Sequence, residues 1–503
     1  MHLTEGIRKI GALLGGCALI ALVAAQGVRP ADAETLKQAL SSAYRSNPSL
    51  EAERSRLRAQ DETVAIANSG YRPRVAAGGS LSWEHSVIDP STAGNTIIIG
   101  PGGGLGPGGI ITEPGVNRHA RYGVAVTQPV FSGFQTTNQV RIAESGVRAR
   151  RELLRDTERT VFMQVVAAYS NIIATRKVLR LREKNLSIME RQVKAAQQRL
   201  AYNELTRTDV AQATLRMGTA QSLVVAARAA VKTALSNYLT VVGNEPSDLS
   251  EPALARALPR NLNEAQAIAA RENPVVLNAL YSEEAARHGV DLARGRLLPT
   301  VNLSASWNED DNFDRDTKSR STAVVVSITV PLYESGEAHA AVRQAKQLHL
   351  SQIQQIELAR GQVQLLVASA WAEFEASRIR LGIAKEQTKS SLAALEGVRR
   401  EEGLGQRTLL DILNAEQEHL EALTLVVTMQ RDYLVASYQV LAQIGQLDAS
   451  ILDLGPVYDP TIHFGDVHRK WFGLTISYPD GRSELVDVKD TRAVPKTNEW
   501  APQ

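Results

Sequence analysis

Among 503 residues there is one cysteine, Cys17, which excludes a disulfide scaffold and a thiolate metal site. Beyond residue 25 no apolar run reaches the roughly 20 residues that a helix needs to cross a bilayer. An excess of one charge is also lacking. The 56 basic and 54 acidic residues leave a formal net charge of +2, and no basic stripe with interleaved aromatics marks a nucleic-acid partner. The nine histidines are scattered, with no His-Glu-x-x-His and no ligand spacing, so neither a metal nor another cofactor is expected. Gly104, Gly106 and Gly109 match a dinucleotide fingerprint by count, but Pro101 and Pro107 surround them and no helix follows. The carboxylates from Asp310 to Asp316 alternate like those of a calcium loop but lack its central glycine. No nucleophile stands in a pattern with a histidine. The residues supply no catalytic set, and an enzyme is not expected.

Proline is absent from Phe134 to Val242 and from Leu332 to Leu454. Proline breaks helices from within, so both stretches are free to form very long ones. The segments read as helices are 134–202, 207–242, 336–403 and 408–446. At 1.5 Å per residue the longest reach on the order of 100 Å, and propensity alone does not hold such a helix in water. A partner face is present. Leu413, Leu420, Val427, Leu434 and Leu441 recur every seven residues, with Leu423 and Tyr438 filling the seam. Val363, Val367, Ala370 and Phe374 follow a 4-3-4 spacing. Both are coiled-coil patterns.

Residues 1–33 stand apart. Arg8 and Lys9 precede an apolar run from Ile10 to Ala25, and Ala31-Asp32-Ala33 offers small residues for cleavage. This is an export-signal pattern with a mature start at Glu34. Cys17 sits in Leu14-Gly15-Gly16-Cys17, loosely like a lipidation box, but the apolar run continues past it.

The rest is written twice. Leu36, Ala39, Ala43, Asn47, Pro48, Pro73 and Val75 recur as Leu262, Ala265, Ala269, Asn273, Pro274, Pro299 and Val301, each pair 226 positions apart. Pro129, Thr206 and Asp209 recur as Pro331, Thr408 and Asp411, each pair 202 apart. The chain divides into a first repeat at 34–247, a linker at 248–261, a second repeat at 262–447 and a polar tail at 448–503. Each repeat reads as helix, helix broken from it by Asn-Pro, strand, strand and a pair of long helices.

The strands are read at about 73–85, 119–131, 299–309 and 321–332. Val75, Ala77, Gly79 and Leu81, and likewise Val301, Leu303 and Ala305, alternate with small or polar residues. That period suits a lipid-facing barrel wall, and equally a soluble sheet with one buried face. Trp83 and Trp307 at the loop ends, with Tyr122 on a returning strand, suit a membrane interface. Residues 308–320 read as an acidic loop. Four strands cannot close a barrel, which needs about eight or more. Three chains would supply twelve.

These features together resemble the TolC family. Gln128-Pro129-Val130-Phe131-Ser132-Gly133 and Val330-Pro331-Leu332-Tyr333-Glu334-Ser335-Gly336 are similar to its strand-to-helix corners. Thr206-Arg207-Thr208-Asp209 and Gly405-Gln406-Arg407-Thr408-Leu409-Leu410-Asp411 are similar to its two periplasmic helix turns. The resemblance implies a mainly α protein with a β-barrel: a homotrimer with a twelve-stranded transmembrane barrel in outer-membrane lipid and a periplasmic α-helical barrel of coiled coils. It implies an exit duct for efflux or type I secretion, working with a periplasmic adaptor and an inner-membrane ABC or RND-type transporter. It also implies a gate at the helix turns. Arg407 matches the family's latch arginine, Thr208 and Asp209 its partners, and Asp411 the first of two aspartates ringing the constriction. Asn414 stands in place of the second aspartate, and Glu402 in place of a latch tyrosine. From the residues alone, Thr206-x-x-Asp209 and Thr408-x-x-Asp411 are also plain helix caps. A soluble periplasmic coiled-coil adaptor is the competing reading.

Overall fold

The computed structural model describes residues 33–86, 115–256, 258–314, 316–477 and 483–484. Apart from Ala33, the export segment lies outside the described residues, as do Cys17 and the Gly104, Gly106 and Gly109 motif. The chain forms two compact units.

The first unit comprises Met1–Leu57, Arg148–Leu280 and Gln355–Pro460. It holds α1 (Leu36–Ser46) and most of the long helices: α3 (Gln135–Ala201), α4 (Arg207–Val242), α7 (Glu337–Gly403) and α8 (Leu409–Ile444). The second repeat's short helix is α5 (Leu262–Glu272). The Asn-Pro pairs end α1 and α5 and start α2 (Pro48–Asn68) and α6 (Pro274–Gly295). Proline forces the preceding residue into extended backbone, and Asn47 and Asn273 have ψ of 121° and 124°. Each asparagine then serves two helices. Asn47 donates its amide to Val241 O (3.0 Å) and accepts from Ser49 N (2.9 Å). Asn273 does the same to Gln443 O (2.7 Å) and from Val275 N (2.9 Å). The carbonyls so capped belong to the last turns of α4 and α8, which have no helical donor of their own. Those helices stop at Gly243 and Gly445, with φ of +89° and +86°, the left-handed ending that glycine permits.

The core of this unit gathers Leu40, Tyr44, Phe162, Tyr169, Tyr238 and Ile444. The heptad residues Leu413, Leu420, Leu434 and Leu441 are buried, as are Val363, Val367, Ala370 and Phe374. Leu447, Ala449 and Leu454 also lie in core. The polar-tail reading of 448–503 is therefore corrected at its start, where small and aliphatic residues among the polar ones cover the core.

The second unit comprises Arg58–Val147, Tyr281–Gln354 and Thr461–Gln503. Its sheet runs β1 (Arg74–Ser86), β2 (Gly115–Ser132), β3 (Thr300–Asn312) and β4 (Thr317–Thr329), in that order and all antiparallel. β1 and β4 are its edges. In register across one face stand Ala77, Val124, Trp307 and Thr322, and next to them Val75, Val126, Ala305 and Val324. The other face carries Ser80, Arg121, Asp310 and Ser319.

The acidic-loop reading of 308–320 is corrected. β3 continues to Asn312 and β4 starts at Thr317, because the carboxylates are paired across the ladder. Glu309 meets Arg320 (3.2 Å), Asp311 meets Lys318 (2.9 Å), and Asp310 meets Arg121 (2.6 Å) and His119 (3.2 Å). Opposite charges facing each other stabilise a strand pair that either charge alone would disfavour. Trp83 and Trp307 are likewise not at strand ends, since β1 and β3 run on to Ser86 and Asn312.

At the corners into α3 and α7, Gly133 and Phe134 have φ of +62° and +60°, and Ser335 and Gly336 of +51° and +82°. The same backbone turn is thus made twice. The chain closes with α9 (Pro460–Val467) and a short hairpin, β5 (Ile476–Ser477) with β6 (Ser483–Glu484).

Candidate functional site

The two turns joining α3 to α4 and α7 to α8 have one design. Asn203 (φ +60°) and Gly405 (φ +77°) take the left-handed conformation. Next to them Glu204 N donates to Arg199 O and Gln406 N to Glu401 O, both 2.9 Å. These bonds satisfy carbonyls that the helix ends leave open. The outgoing helices then begin with capping boxes. Asp209 Oδ2 accepts from Thr206 N (2.9 Å) and Thr206 Oγ1 (2.7 Å), while Asp209 N donates back to Thr206 Oγ1 (3.2 Å). Asp411 Oδ2 accepts from Thr408 N (2.9 Å) and Thr408 Oγ1 (2.8 Å), with the same return bond at 3.2 Å.

Those bonds hold both carboxyls below the usual carboxylate range. For Asp411 the Thr408 backbone N–H contributes most, and for Asp209 the Thr206 hydroxyl. Both are anionic at neutral pH. All the capping bonds use one oxygen of each carboxylate.

Arg407 donates to Glu401 at 2.8 Å. Thr208 is exposed on the first turn of α4. Within one chain, then, Arg407 and Asp209 are each held by their own turn and do not form an ion pair with each other. Glu402 and Asn414 each link helices of the two turns. Glu402 accepts from Arg199 at 2.8 Å, linking the ends of α7 and α3. Asn414 accepts from Arg216 at 2.9 Å, and the same guanidinium donates to Gln417 at 2.6 Å, linking α4 to α8.

Behind these polar clasps lies an apolar cluster. Met189, Val193 and Ala196 of α3 pack with Ala213 and Ala220 of α4 and Leu409 and Leu413 of α8. Arg399 reaches the buried Glu416 at 2.8 Å. Sequence reasoning missed Arg199, Arg216, Arg399 and Glu401. Their partners lie on other helices or across a turn, and no local spacing in the sequence pairs them.

Elsewhere in the first unit, burial and then the neighbouring Asp448 raise Glu158 from its ordinary 4.5 to about 7, against the pull of Arg54. Arg54 lies over the rings of Tyr44 (4.5 Å) and Tyr458 (5.2 Å). Among the described residues no three acidic, histidine or cysteine side chains gather as a metal site.

The second unit's sheet carries the aromatic residues singled out in the sequence. Tyr122 and Trp307 are 6.1 Å apart, and Tyr122 stands opposite Glu309. On their face they separate the apolar rows from the ion-paired rows. Trp83 is exposed and stacks on His85 at 6.1 Å. No helix among the described residues is long and apolar enough to cross a membrane.

A family model described as "Outer membrane efflux protein" matches residues 39–244 and 267–446, which are the two repeats. The chain belongs to that family. Among its relatives, the outer membrane efflux protein BepC of Brucella suis biovar 1 (strain 1330) is 37% identical over 454 residues, covering 89% of this chain and 93% of BepC. Outer membrane protein TolC of Escherichia coli (strain K12) is 22% identical over 433 residues, 83% of each chain. The Campylobacter jejuni CmeC outer membrane channel shares the fold, with a TM-score of 0.70 at 14% identity, covering 86% of this chain and 89% of that one.

As an outer membrane efflux protein, the chain is an outer-membrane channel component with a large periplasmic part. The soluble-adaptor reading and the soluble-sheet reading of the strands both give way to this. The long helices are the periplasmic part.

Proposed function

We propose that three copies of this chain form a passive exit duct, with no catalytic step of its own, for a tripartite efflux or type I secretion system. One observation carries this reading. A four-stranded sheet with one apolar face, and with β1 and β4 as edges, is built into the same chain as two 67-residue helices. A sheet edge cannot be left in lipid, so β4 of one copy pairs with β1 of the next until twelve strands close. Trp83, Trp307 and Tyr122 would then mark the membrane interface. Energy for transport comes from an inner-membrane ABC or RND-type transporter, joined through a periplasmic adaptor. Small molecules and unfolded polypeptides both suit a passive conduit, and the likeness to an efflux protein favours the former.

The turns form the gate. Asp411 is ionised, and its second oxygen lies outside the cap, so three copies would set a ring of negative charge at the mouth, with Asn414 a neutral ring beside it. Thr208, Asp209 and Arg407 would meet across neighbouring copies, with Glu402 held back by Arg199.

The test is single-channel conductance of the purified protein in planar bilayers, with oligomer mass measured in parallel. A trimer with small, stable, cation-selective openings is expected. Multivalent cations are expected to block it, and Asp411→Asn, which keeps a capping oxygen, to weaken that block about tenfold or more. Arg407→Ala is expected to raise conductance. A species without conductance would sink the duct, and unchanged block in Asp411→Asn would sink the ring.

A further inference from the structure

A patch in the second unit has no part in the duct or the gate. From α9 onward, the chain runs beside the second half of α2 and the residues just after it, and is fastened there at three points. His463 Nδ1 lies 3.0 Å from Oδ2 of the fully buried Asp61. Asn68 donates to His468 O at 3.3 Å, and Arg72 donates to Lys470 O at 2.8 Å. The guanidinium of Arg72 also lies 4.8 Å from the ring of Trp471. Lys470 Nζ donates to Thr475 O at 3.0 Å and closes a small loop whose Gly473 has φ of +116°.

This fastening leaves Trp471, Phe472 and Leu474 59%, 86% and 85% exposed. Adjacent large apolar side chains with that much exposure mark a contact surface. The stretch Arg469-Lys470-Trp471-Phe472-Gly473-Leu474-Thr475 carries two cations and no carboxylate. Its level is set by Arg72, two residues before β1 begins at Arg74. That end of β1 adjoins helix, so it is the periplasmic end, and the exposed Val75 beside it opens the apolar face of the wall.

We propose that Trp471, Phe472 and Leu474, with Arg72, Arg469 and Lys470, form an interfacial anchor that binds anionic phospholipid of the periplasm-facing leaflet. The proposal rests on the barrel reading above. The patch continues the wall's lipid-facing surface to headgroup depth. There, aromatic rings settle with their apolar bodies toward the acyl chains, and cations attract anionic headgroups. A partner protein would not need this coincidence of level, charge and apolarity with the foot of the wall.

The test uses the full mature chain, in which an engineered cysteine is unique if Cys17 leaves with the export segment. A nitroxide is placed at Phe472→Cys and, as reference, at Val326→Cys on the wall. The protein is reconstituted in phosphatidylcholine vesicles with or without phosphatidylglycerol. Collisions with oxygen and with a water-soluble nickel complex then report depth. The label at 472 is expected to read headgroup depth. Its oxygen-to-nickel ratio is expected to rise about threefold or more with phosphatidylglycerol, and Arg469→Ser with Lys470→Ser to abolish that rise. A lipid-exposed label at 326 with a water-exposed label at 472 overturns the anchor and leaves the barrel standing. A label at 472 shielded from both reagents means that a second copy covers the patch, which also overturns it. Water exposure at both positions overturns the barrel reading itself.

Discussion

At the scale of single residues, all the capping bonds at the two turns use one oxygen of each aspartate. Asp411 caps α8 with one oxygen, which under the proposed gate would leave the other oxygen to face the mouth. The clasp between Arg199 and Glu402 is testable as a pair. Arg199→Glu alone sets two acids together and should destabilise the turns, while Arg199→Glu with Glu402→Arg should recover the loss. Both groups are partly exposed, so the coupling in a double-mutant cycle of denaturant midpoints should be about 0.5 kcal/mol. A coupling of zero would mean that the two groups act alone.

Glu158 offers a pH test. Its pKa is raised in the folded chain, so its contribution is fully present below pH 4.5 and is lost as pH rises through about 7. Wild-type stability should fall across that window, by at most about 3 kcal/mol given 1.36 kcal/mol per pKa unit. Glu158→Gln should flatten that part of the profile, as read by urea unfolding at several pH values. An unchanged slope would place the titration elsewhere.

At the scale of elements, the sequence was most legible where local chemistry decides. The proline-free stretches mark the long helices. Thr-x-x-Asp announces the start of α4 and α8, and Asn-Pro announces the breaks after α1 and α5. Two things were hidden. The carboxylates Glu309 to Asp311 look like loop until their cross-strand cations are known, since strand pairing is decided by residues far away in sequence. The asparagines of the Asn-Pro pairs read as breakers, but their amides reach 194 and 170 residues along the chain to cap α4 and α8. That second role sets a cost. Asn273→Ala leaves Gln443 O and Val275 N without these partners in a buried place, and should cost about 1–3 kcal/mol. Asn47→Ala should cost a similar amount. Thermal unfolding of each variant measures it, and a loss within error of zero would show that water replaces the amide.

At the scale of the whole molecule, duplication made the architecture legible. A chain that repeats helix, helix, strand, strand and two long helices has few ways to use them. The proposed gate was less legible because it would be a matter of neighbours. Arg407 and Asp209 carry the right chemistry, yet each is satisfied within its own turn. Only an adjoining copy could draw them together.

The strand order has a consequence for how the assembly is counted. One protomer has two unpaired sheet edges, β1 and β4. Joining a second copy head to tail uses one edge of each and leaves two, so a dimer still has as many open edges as a monomer. In the proposed trimer, only the arrival of the third copy removes both at once. Assembly should therefore behave as an all-or-none step. In native mass spectrometry of extracted protein, monomers and trimers should be populated and dimers scarce. A persistent dimer would mean that the edges are covered in some other way.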